Sequence, residues 1–287
     1  MTRAAGAAAV AALLALAVLA GPAAPQDEAR RIVSLGGSVT EIVVALGAAD
    51  RLVARDSTST HPDSVTALPD VGYLRALSPE GVLSLDPDLI VAEADAGPVE
   101  AVEVLRAAGV RFVLMPDEPT PEGVAAKIAA VAGAIGRPAE GAALAARVTA
   151  GLAEAEARAA AVRSPRRVLF VLSAQGGRIM AGGEGTSADG IIRLAGARNA
   201  ATGFDGYKPM TDEAVLAADP DVILMMDRDG DHAVQDADLL ALPALAASPA
   251  ARTGAIVRMD GLLLLGFGPR TPEAARALHA AIYPAGD

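Results

Sequence analysis

The chain has 287 residues, of which 52 % are hydrophobic and only 2 % aromatic, and its formal net charge is −11. That length suits one large or two ordinary domains, and the negative charge argues against nucleic acid or an anionic membrane surface as a partner. Because the chain has no cysteine, disulfides, thiolate zinc sites, iron–sulfur clusters and cysteine nucleophiles are excluded.

Residues 1–23 have the pattern of a signal peptide. Arg3 precedes an apolar run at 7–20 that is too short for a comfortable membrane span. We expect cleavage after Ala20 or Ala23, because small residues precede such cleavage sites. Without a cysteine at this point a lipid anchor is not expected, so the mature protein is predicted to be secreted to the periplasm and not inserted in the membrane. The alternative is that residues 1–23 stay in place as an uncleaved anchor.

Strands and helices alternate over residues 28–137, which we take as the first lobe. Short apolar runs predict strands at 31–35, 52–54, 89–92 and 111–115. Ser38 or Thr40 is expected to cap the helix after the first strand, and Ser78 the short helix that begins at Pro79. Alternation of this kind predicts a parallel sheet covered on both faces.

Residues 138–163 form one Ala-rich run, interrupted only by Gly141 and Gly151. As a helix of about 25 residues it would span roughly 37 Å, long enough to bridge two halves, although an ordinary surface helix has the same local pattern. Strand–helix alternation restarts at 164–285, the second lobe. The sequence therefore predicts an α/β fold with two Rossmann-like lobes, mostly parallel sheets, one joining helix and a ligand cleft between the lobes.

An internal repeat relates the two lobes. The run (Ser/Thr)-x-Glu-x-Val-Leu-x-x-Asp-Pro-Asp-(Leu/Val)-Ile occurs around Glu80 and again around Glu213, with a Gly-Tyr pair upstream of each, at Tyr73 and Tyr207. A separation of 133 residues (213 − 80) is far too long for a solenoid. It indicates similar lobes that bring a tyrosine and a glutamate to matching places.

These segments, with RIVSLGGSVTEIVVALG at the start and LLLLGFGPRTPEA near the end, resemble one family across the mature chain. The chain resembles the substrate-binding proteins of ABC importers whose two lobes are joined by one long helix, a superfamily shared with cobalamin and ferric-siderophore binders. Within that group it is most similar to the periplasmic haemin-binding proteins. The specific mark is Gly-Tyr-x-Arg-x-Leu-Ser-x-Glu-Gly at 72–81.

The resemblance implies that Tyr73 binds the iron of ferric haem as a tyrosinate, a known type of haem ligand. Arg75 can stabilise the phenolate or pair with a haem propionate, because its planar fork suits carboxylates. Tyr207 can contact the porphyrin, bind the iron from the other side, or pack at the cleft wall. Candidate propionate contacts in the second lobe are Lys208, Arg178, Arg228 and Arg270. Candidate apolar wall residues are Met180, Met210, Met225, Leu262 and Phe267.

The same resemblance implies that Glu80 and Glu213 dock on arginines of an inner-membrane ABC permease dimer, one glutamate from each lobe. A first-turn glutamate also favours the helix dipole, and the two roles are compatible. The three histidines, His61, His232 and His279, are scattered, and only His61 precedes Tyr73 in a loop that can border the cleft.

Haem is thus expected as a transported ligand of a monomeric binding protein that is not an enzyme and holds no catalytic cofactor. One alternative keeps the fold and changes the ligand to cobalamin or a ferric siderophore. Another is a periplasmic haem- or metal-dependent enzyme on this scaffold. Enzyme motifs give that alternative little support, because Ser38 lacks a Gly-x-Ser-x-Gly elbow and the Gly-rich run at 182–187 lacks the lysine of a phosphate loop.

Overall fold

The computed structural model describes residues 29–227 and 234–284. The predicted signal peptide, Arg228 and His232 lie outside the described residues. The strands are β1 (Ile32–Leu35), β2 (Leu52–Arg55), β3 (Leu89–Glu93), β4 (Arg111–Met115), β5 (Arg167–Ser173), β6 (Met180–Gly182), β7 (Arg198–Asn199), β8 (Tyr207–Pro209), β9 (Val222–Met226) and β10 (Ile256–Met259). The α-helices are α1 (Gly37–Ala45), α2 (Pro79–Leu83), α3 (Val99–Ala107), α4 (Pro121–Ala134), α5 (Pro138–Ala160), α6 (Ser187–Leu194), α7 (Asp212–Ala218), α8 (Asp236–Leu240), α9 (Pro243–Ala246), α10 (Pro249–Thr253), α11 (Gly261–Leu265) and α12 (Thr271–Ile282).

Two sheets form the cores of the two lobes. The first has the order β2-β1-β3-β4 and is parallel throughout. The second has the order β10-β9-β5-β6-β8, with β7 beside β5, and its antiparallel pairs are those that β6 makes with β5 and β8. This architecture confirms the predicted α/β fold with mostly parallel sheets.

The Asp-Pro-Asp part of the repeat anchors the first strand of each lobe. Arg31, just before β1, donates from Nε to the carbonyl oxygen of Asp86 at 2.8 Å. Arg167, at the start of β5, pairs with Asp219 at 2.8 Å and with Asp221 at 2.9 Å. Asp86 and Asp219 have φ of 48° and 41°, a left-handed conformation that aspartate tolerates better than most residues. This part of the repeat is therefore structural.

The long helix α5 packs along its neighbours. Its buried residues recur at helical spacing, namely Gly141, Leu144, Val148, Leu152 and Ala155. A Cβ added at Gly141 would lie 2.2 Å from the Cβ of Ala132 on α4, so this glycine permits close helix packing. Nowhere in the described ranges does a helix combine the length and the apolar character of a membrane span.

The apolar core continues from one lobe into the other. One cluster includes Ile42 of α1, Leu144 of α5, Phe170 of β5, Ile191 of α6 and Leu278 of α12. A joining helix that shares its core with both lobes favours small lobe motions over a wide hinge, because opening would expose apolar surface to water.

The predicted cap of the first helix is wrong. Helix α1 begins at Gly37, and its N-cap is Gly36, with no side-chain cap. Ser38 instead donates its hydroxyl to Glu93 at 2.6 Å, and the Thr40 hydroxyl bonds that of Ser34 at 2.6 Å. Both side chains serve tertiary contacts that sequence spacing does not reveal. The predicted cap of α2 is confirmed, since Ser78 accepts the N–H of Gly81.

Candidate functional site

A cleft of about 1150 Å³ opens between the lobes. Parallel strands point their carboxyl ends toward it, as expected for a binding crevice in an open α/β sheet. Lining residues at or just beyond strand ends are Glu93 and Asp95 (β3), Asp117 (β4), Ser173 (β5), Met226 (β9) and Asp260 (β10). Both lobes therefore contribute walls to one site.

Tyr73 stands on a loop that is fixed by backbone contacts. Gly72 has φ of 91°, which favours glycine, and its carbonyl oxygen accepts the N–H of Ser57 at 2.9 Å. The next residue, Leu74, is buried in the first lobe. This arrangement leaves the Tyr73 side chain 41 % exposed and lining the cleft. The glycine of the Gly-Tyr pair thus sets the turn that presents the phenol.

Arg75 lies against the Tyr73 phenol. Its Nη1 donates to the Tyr73 hydroxyl oxygen, and its guanidinium carbon lies 5.6 Å from the centre of the ring. Its Nε donates to Asp95 Oδ2 at 2.7 Å. Burial opposes the charge of Arg75, but the hydrogen bonds to Asp95 and Tyr73 outweigh it and raise the Arg75 pKa. The Arg75 guanidinium is therefore held between the Asp95 carboxylate and the Tyr73 phenolic oxygen.

Tyr207 lies on the second lobe's wall of the same cleft. Its ring packs edge-on against Phe170, with ring centres 6.2 Å apart. Burial raises the pKa of Tyr207, although hydrogen bonds from the Ala188 N–H and the Thr186 hydroxyl and the nearby charge of Arg75 oppose the shift. The raised pKa makes Tyr207 a poorer source of tyrosinate, which favours a role in the cleft wall.

A buried polar network forms the cleft floor beneath Glu93. Lys127 is fully buried and donates to Asp117 at 2.7 Å, to Ser38 Oγ at 3.1 Å and to the Gly266 carbonyl of the second lobe at 3.2 Å. Burial raises the pKa of Glu93 to about 7, although Lys127 and Ser38 favour its anion. The network links the lobes directly below the site.

A second polar link between the lobes joins Glu41 of α1 to Arg270, which precedes α12. Arg270 Nε donates to Glu41 Oε1 at 3.0 Å, and only 6 % of the Glu41 side chain is exposed. Burial raises the Glu41 pKa above its ordinary value, and Arg270 opposes that rise. Arg270 is therefore a link between lobes in this structure and does not line the cleft.

The other predicted residues divide clearly by position. Tyr73, Arg75, Tyr207 and Leu262 line the cleft, whereas Arg178, Lys208, Met180, Met210, Met225 and Phe267 do not. Lys208 follows Tyr207 on β8, so alternation along the strand directs it to the opposite face. Phe267 is buried and Met210 packs on the core of the second lobe. Arg75 is the one basic side chain among the described residues that line the cleft.

Sequence reasoning missed most of the polar lining. Asp95, Asp117 and Asp260 each follow a strand by one or two residues, and Thr58 follows β2 by three. Residues just beyond the carboxyl ends of parallel strands border the binding crevice of an open α/β sheet. Applied to every strand, the same rule would have found them.

Neither of the two described histidines, His61 and His279, belongs to a cluster of metal-ligating side chains. His61 is half-buried and does not line the cleft, and His279 Nδ1 lies 2.9 Å from the Ala195 carbonyl oxygen. No group of three or more metal-ligating side chains comes together within the described ranges.

Glu80 and Glu213 occupy equivalent places on the two lobes. Each is the second residue of a short helix, capped by Ser78 or Thr211, and each is exposed. Hydrogen bonds from its own N–H and from the Thr211 hydroxyl lower the Glu213 pKa. Both side chains therefore face solvent at matching helix ends.

The sequence matches the profile of a periplasmic binding protein family over residues 32–262. It is 27 % identical over 260 residues to an uncharacterized ABC transporter substrate-binding lipoprotein, YvrC, of Bacillus subtilis (strain 168). The aligned residues make up 90 % of this chain and 81 % of that protein. Over 86 residues, 30 % of this chain and 31 % of the relative, it is 36 % identical to a vitamin B12-binding protein of Yersinia pestis (strain Pestoides F).

Solved structures of high similarity include the periplasmic heme-binding protein RhuT of Roseiflexus sp. RS-1 in apo form. The identity is 41 %, the TM-score 0.85, and the match covers 90 % of this chain and 99 % of that one. A periplasmic heme-binding protein of Pseudomonas aeruginosa is 38 % identical, with a TM-score of 0.81 and coverage of 90 % and 94 %. The periplasmic heme-binding protein BhuT in complex with two hemes is 45 % identical, with a TM-score of 0.83 and coverage of 88 % and 97 %.

Proposed function

The chain belongs to the periplasmic binding protein family, and we propose that it captures ferric haem in the cleft between its lobes. The Tyr73 phenolate binds the iron, and the protein, a monomer, delivers the haem to an inner-membrane ABC permease. The main support for this proposal is the position of the Tyr73 phenol in the cleft. The cleft, about 1150 Å³ in volume, presents a phenol whose oxygen is already held by a guanidinium. Relatives named as heme-binding proteins support the same ligand.

The ionised phenol suits this role for electrostatic reasons. Ferric iron favours the phenolate because the metal's charge stabilises the anion. Arg75 adds a hydrogen bond to the same oxygen. Apolar side chains that line the cleft, such as Leu262 and Leu265, provide a surface on which the porphyrin can pack. Binding and release, without chemistry on haem, are the whole activity.

A haemin titration of the mature protein, followed by visible absorption, tests the ligand. We expect saturation with a high-spin ferric spectrum of tyrosinate type, and haemin recovered unchanged after release. Cobalamin and a ferric siderophore, tested by competition, should not displace it. Absence of saturable haemin binding, or displacement of haemin by cobalamin, would overturn the proposal that haem is the ligand. Displacement would favour a corrinoid ligand, as in the vitamin B12-binding relatives. Haem breakdown products would favour an enzyme.

Delivery to the permease is proposed to use Glu80 and Glu213. Glu80→Arg and Glu213→Arg should each lower haem uptake by cells about tenfold, because each reverses a charge that meets a permease arginine. The haemin affinity of the isolated protein should not change, since both side chains lie outside the cleft. Glu154→Arg, on the exposed face of α5, is the matched control. Uptake that is equal for all three variants would contradict the docking role.

A further inference from the structure

We propose that Asp95 is a positioning residue for the iron ligand: it holds Arg75 against the Tyr73 oxygen and so keeps the phenolate in place for iron. The inference rests on the proposed function and adds a residue to it. No sequence motif marked Asp95, because it lies 20 positions after Arg75, in the loop that follows β3.

The contacts form a chain of three side chains. Both Nε and Nη2 of Arg75 donate to Asp95 Oδ2, and the Nε contact is 2.7 Å. The remaining terminal nitrogen, Nη1, donates to the Tyr73 hydroxyl oxygen. Because a guanidinium is planar, fixing one edge on the carboxylate also fixes the direction of the other nitrogen. All three side chains line the cleft.

The backbone places Asp95 there independently of the ion pair. The N–H of Leu77 donates to the Gly97 carbonyl at 2.9 Å, and the N–H of Gly97 donates to the Leu74 carbonyl at 2.8 Å. These two bonds tie the loop of Asp95 to the loop of Tyr73. The backbone therefore places the Asp95 carboxylate beside Arg75, and this placement does not require the charge of Arg75.

The arrangement also decides between two roles of Arg75. A guanidinium that is paired with Asp95 and bonded to Tyr73 has its charge largely balanced and three of its five N–H groups in use. It therefore supports the iron ligand and is a weak partner for a propionate. Residues that orient a metal ligand typically change metal affinity 10- to 100-fold when removed, whereas an exposed ion pair by itself contributes little.

A double-mutant cycle on haemin binding tests whether Asp95 acts through Arg75. Asp95→Ala should weaken haemin binding about tenfold and raise the pH at which the tyrosinate absorption band is lost on acidification. Arg75→Ala should have the same two effects. In the double variant Asp95→Ala/Arg75→Ala, the haemin affinity and the pH at which the band is lost should equal those of Arg75→Ala alone. Asp95→Glu should restore part of both. The proposal would be overturned if Asp95→Ala lowered the haemin affinity equally in the presence and absence of Arg75, or did not lower it at all.

A measurement without haem separates this inference from the proposed function. In the ligand-free protein, the NMR signal of the Arg75 Nε–H should exchange slowly with water in the wild type and in Tyr73→Phe, and rapidly in Asp95→Ala. Rapid exchange in the wild type would overturn the positioning role even if haemin binds through Tyr73. A wild type that holds Arg75 but shows no tyrosinate band would instead overturn the proposed function.

Discussion

Replacing Tyr73 with phenylalanine is expected to lower the affinity for ferric haem by at least about 100-fold and to abolish the tyrosinate absorption band. Phenylalanine keeps the ring in the cleft and removes only the oxygen that is proposed to bind iron. Removing residues that merely support a metal ligand already costs about 10- to 100-fold, so the loss of the ligand itself should cost no less. Haemin titration with visible absorption measures both quantities.

Tyr207→Phe is the matched comparison for Tyr73→Phe. It removes a phenolic oxygen from the opposite wall of the same cleft. Because burial raises the pKa of Tyr207, ionisation of its phenol is disfavoured, and the tyrosinate band should survive. If Tyr207→Phe removes the band and Tyr73→Phe does not, the iron ligand belongs to the second lobe.

Arg270→Met is expected to lower the free energy of unfolding by about 3 kcal/mol at pH 8, since it leaves a buried carboxylate without its partner. Glu41 is almost fully buried, and Arg270 reaches it from the other lobe. The double variant Glu41→Gln/Arg270→Met should recover most of the loss, because uncharged groups of similar volume often replace a buried pair at little cost. Urea unfolding measures the change.

The effect of Arg270→Met should depend on pH in one direction. Burial already raises the Glu41 pKa above 4.5, and Arg270 limits that rise. Without Arg270 the folded protein retains the Glu41 proton at pH values where the unfolded chain has lost it, so stability falls as pH rises from about 4.5 through the folded pKa. The destabilisation should therefore be smaller at pH 5 than at pH 8. The same loss at both pH values would mean that Arg270 acts through packing alone.

The fold was predictable because its signals are local or repeated. Apolar runs bounded by turn residues marked the strands, and the run around Glu80 and Glu213 revealed two related lobes. The Asp-Pro-Asp segments recur because each supports a left-handed turn next to an anchoring arginine, Arg31 or Arg167. The turn involves neighbours in sequence and so leaves a pattern there, whereas Arg31 lies 55 positions from Asp86.

The polar part of the site was predictable only where a motif carried it. Tyr73 and Arg75 are two residues apart in a recognisable run, and the structure brings them together in the cleft. Asp95 and Lys127 lie 20 and 89 positions from their partners Arg75 and Ser38, and Arg270 lies 229 positions from Glu41. Which of many charged residues meet across such separations depends on how the lobes pack, and spacing does not encode that.

A crystal structure of the mature protein with haemin would show the iron ligand directly. We expect a haem between the lobes whose iron is bonded to the Tyr73 phenolic oxygen, with Arg75 donating to that oxygen and Asp95 holding Arg75. Haem bound with its iron on another residue, or bound outside this cleft, would contradict the proposal.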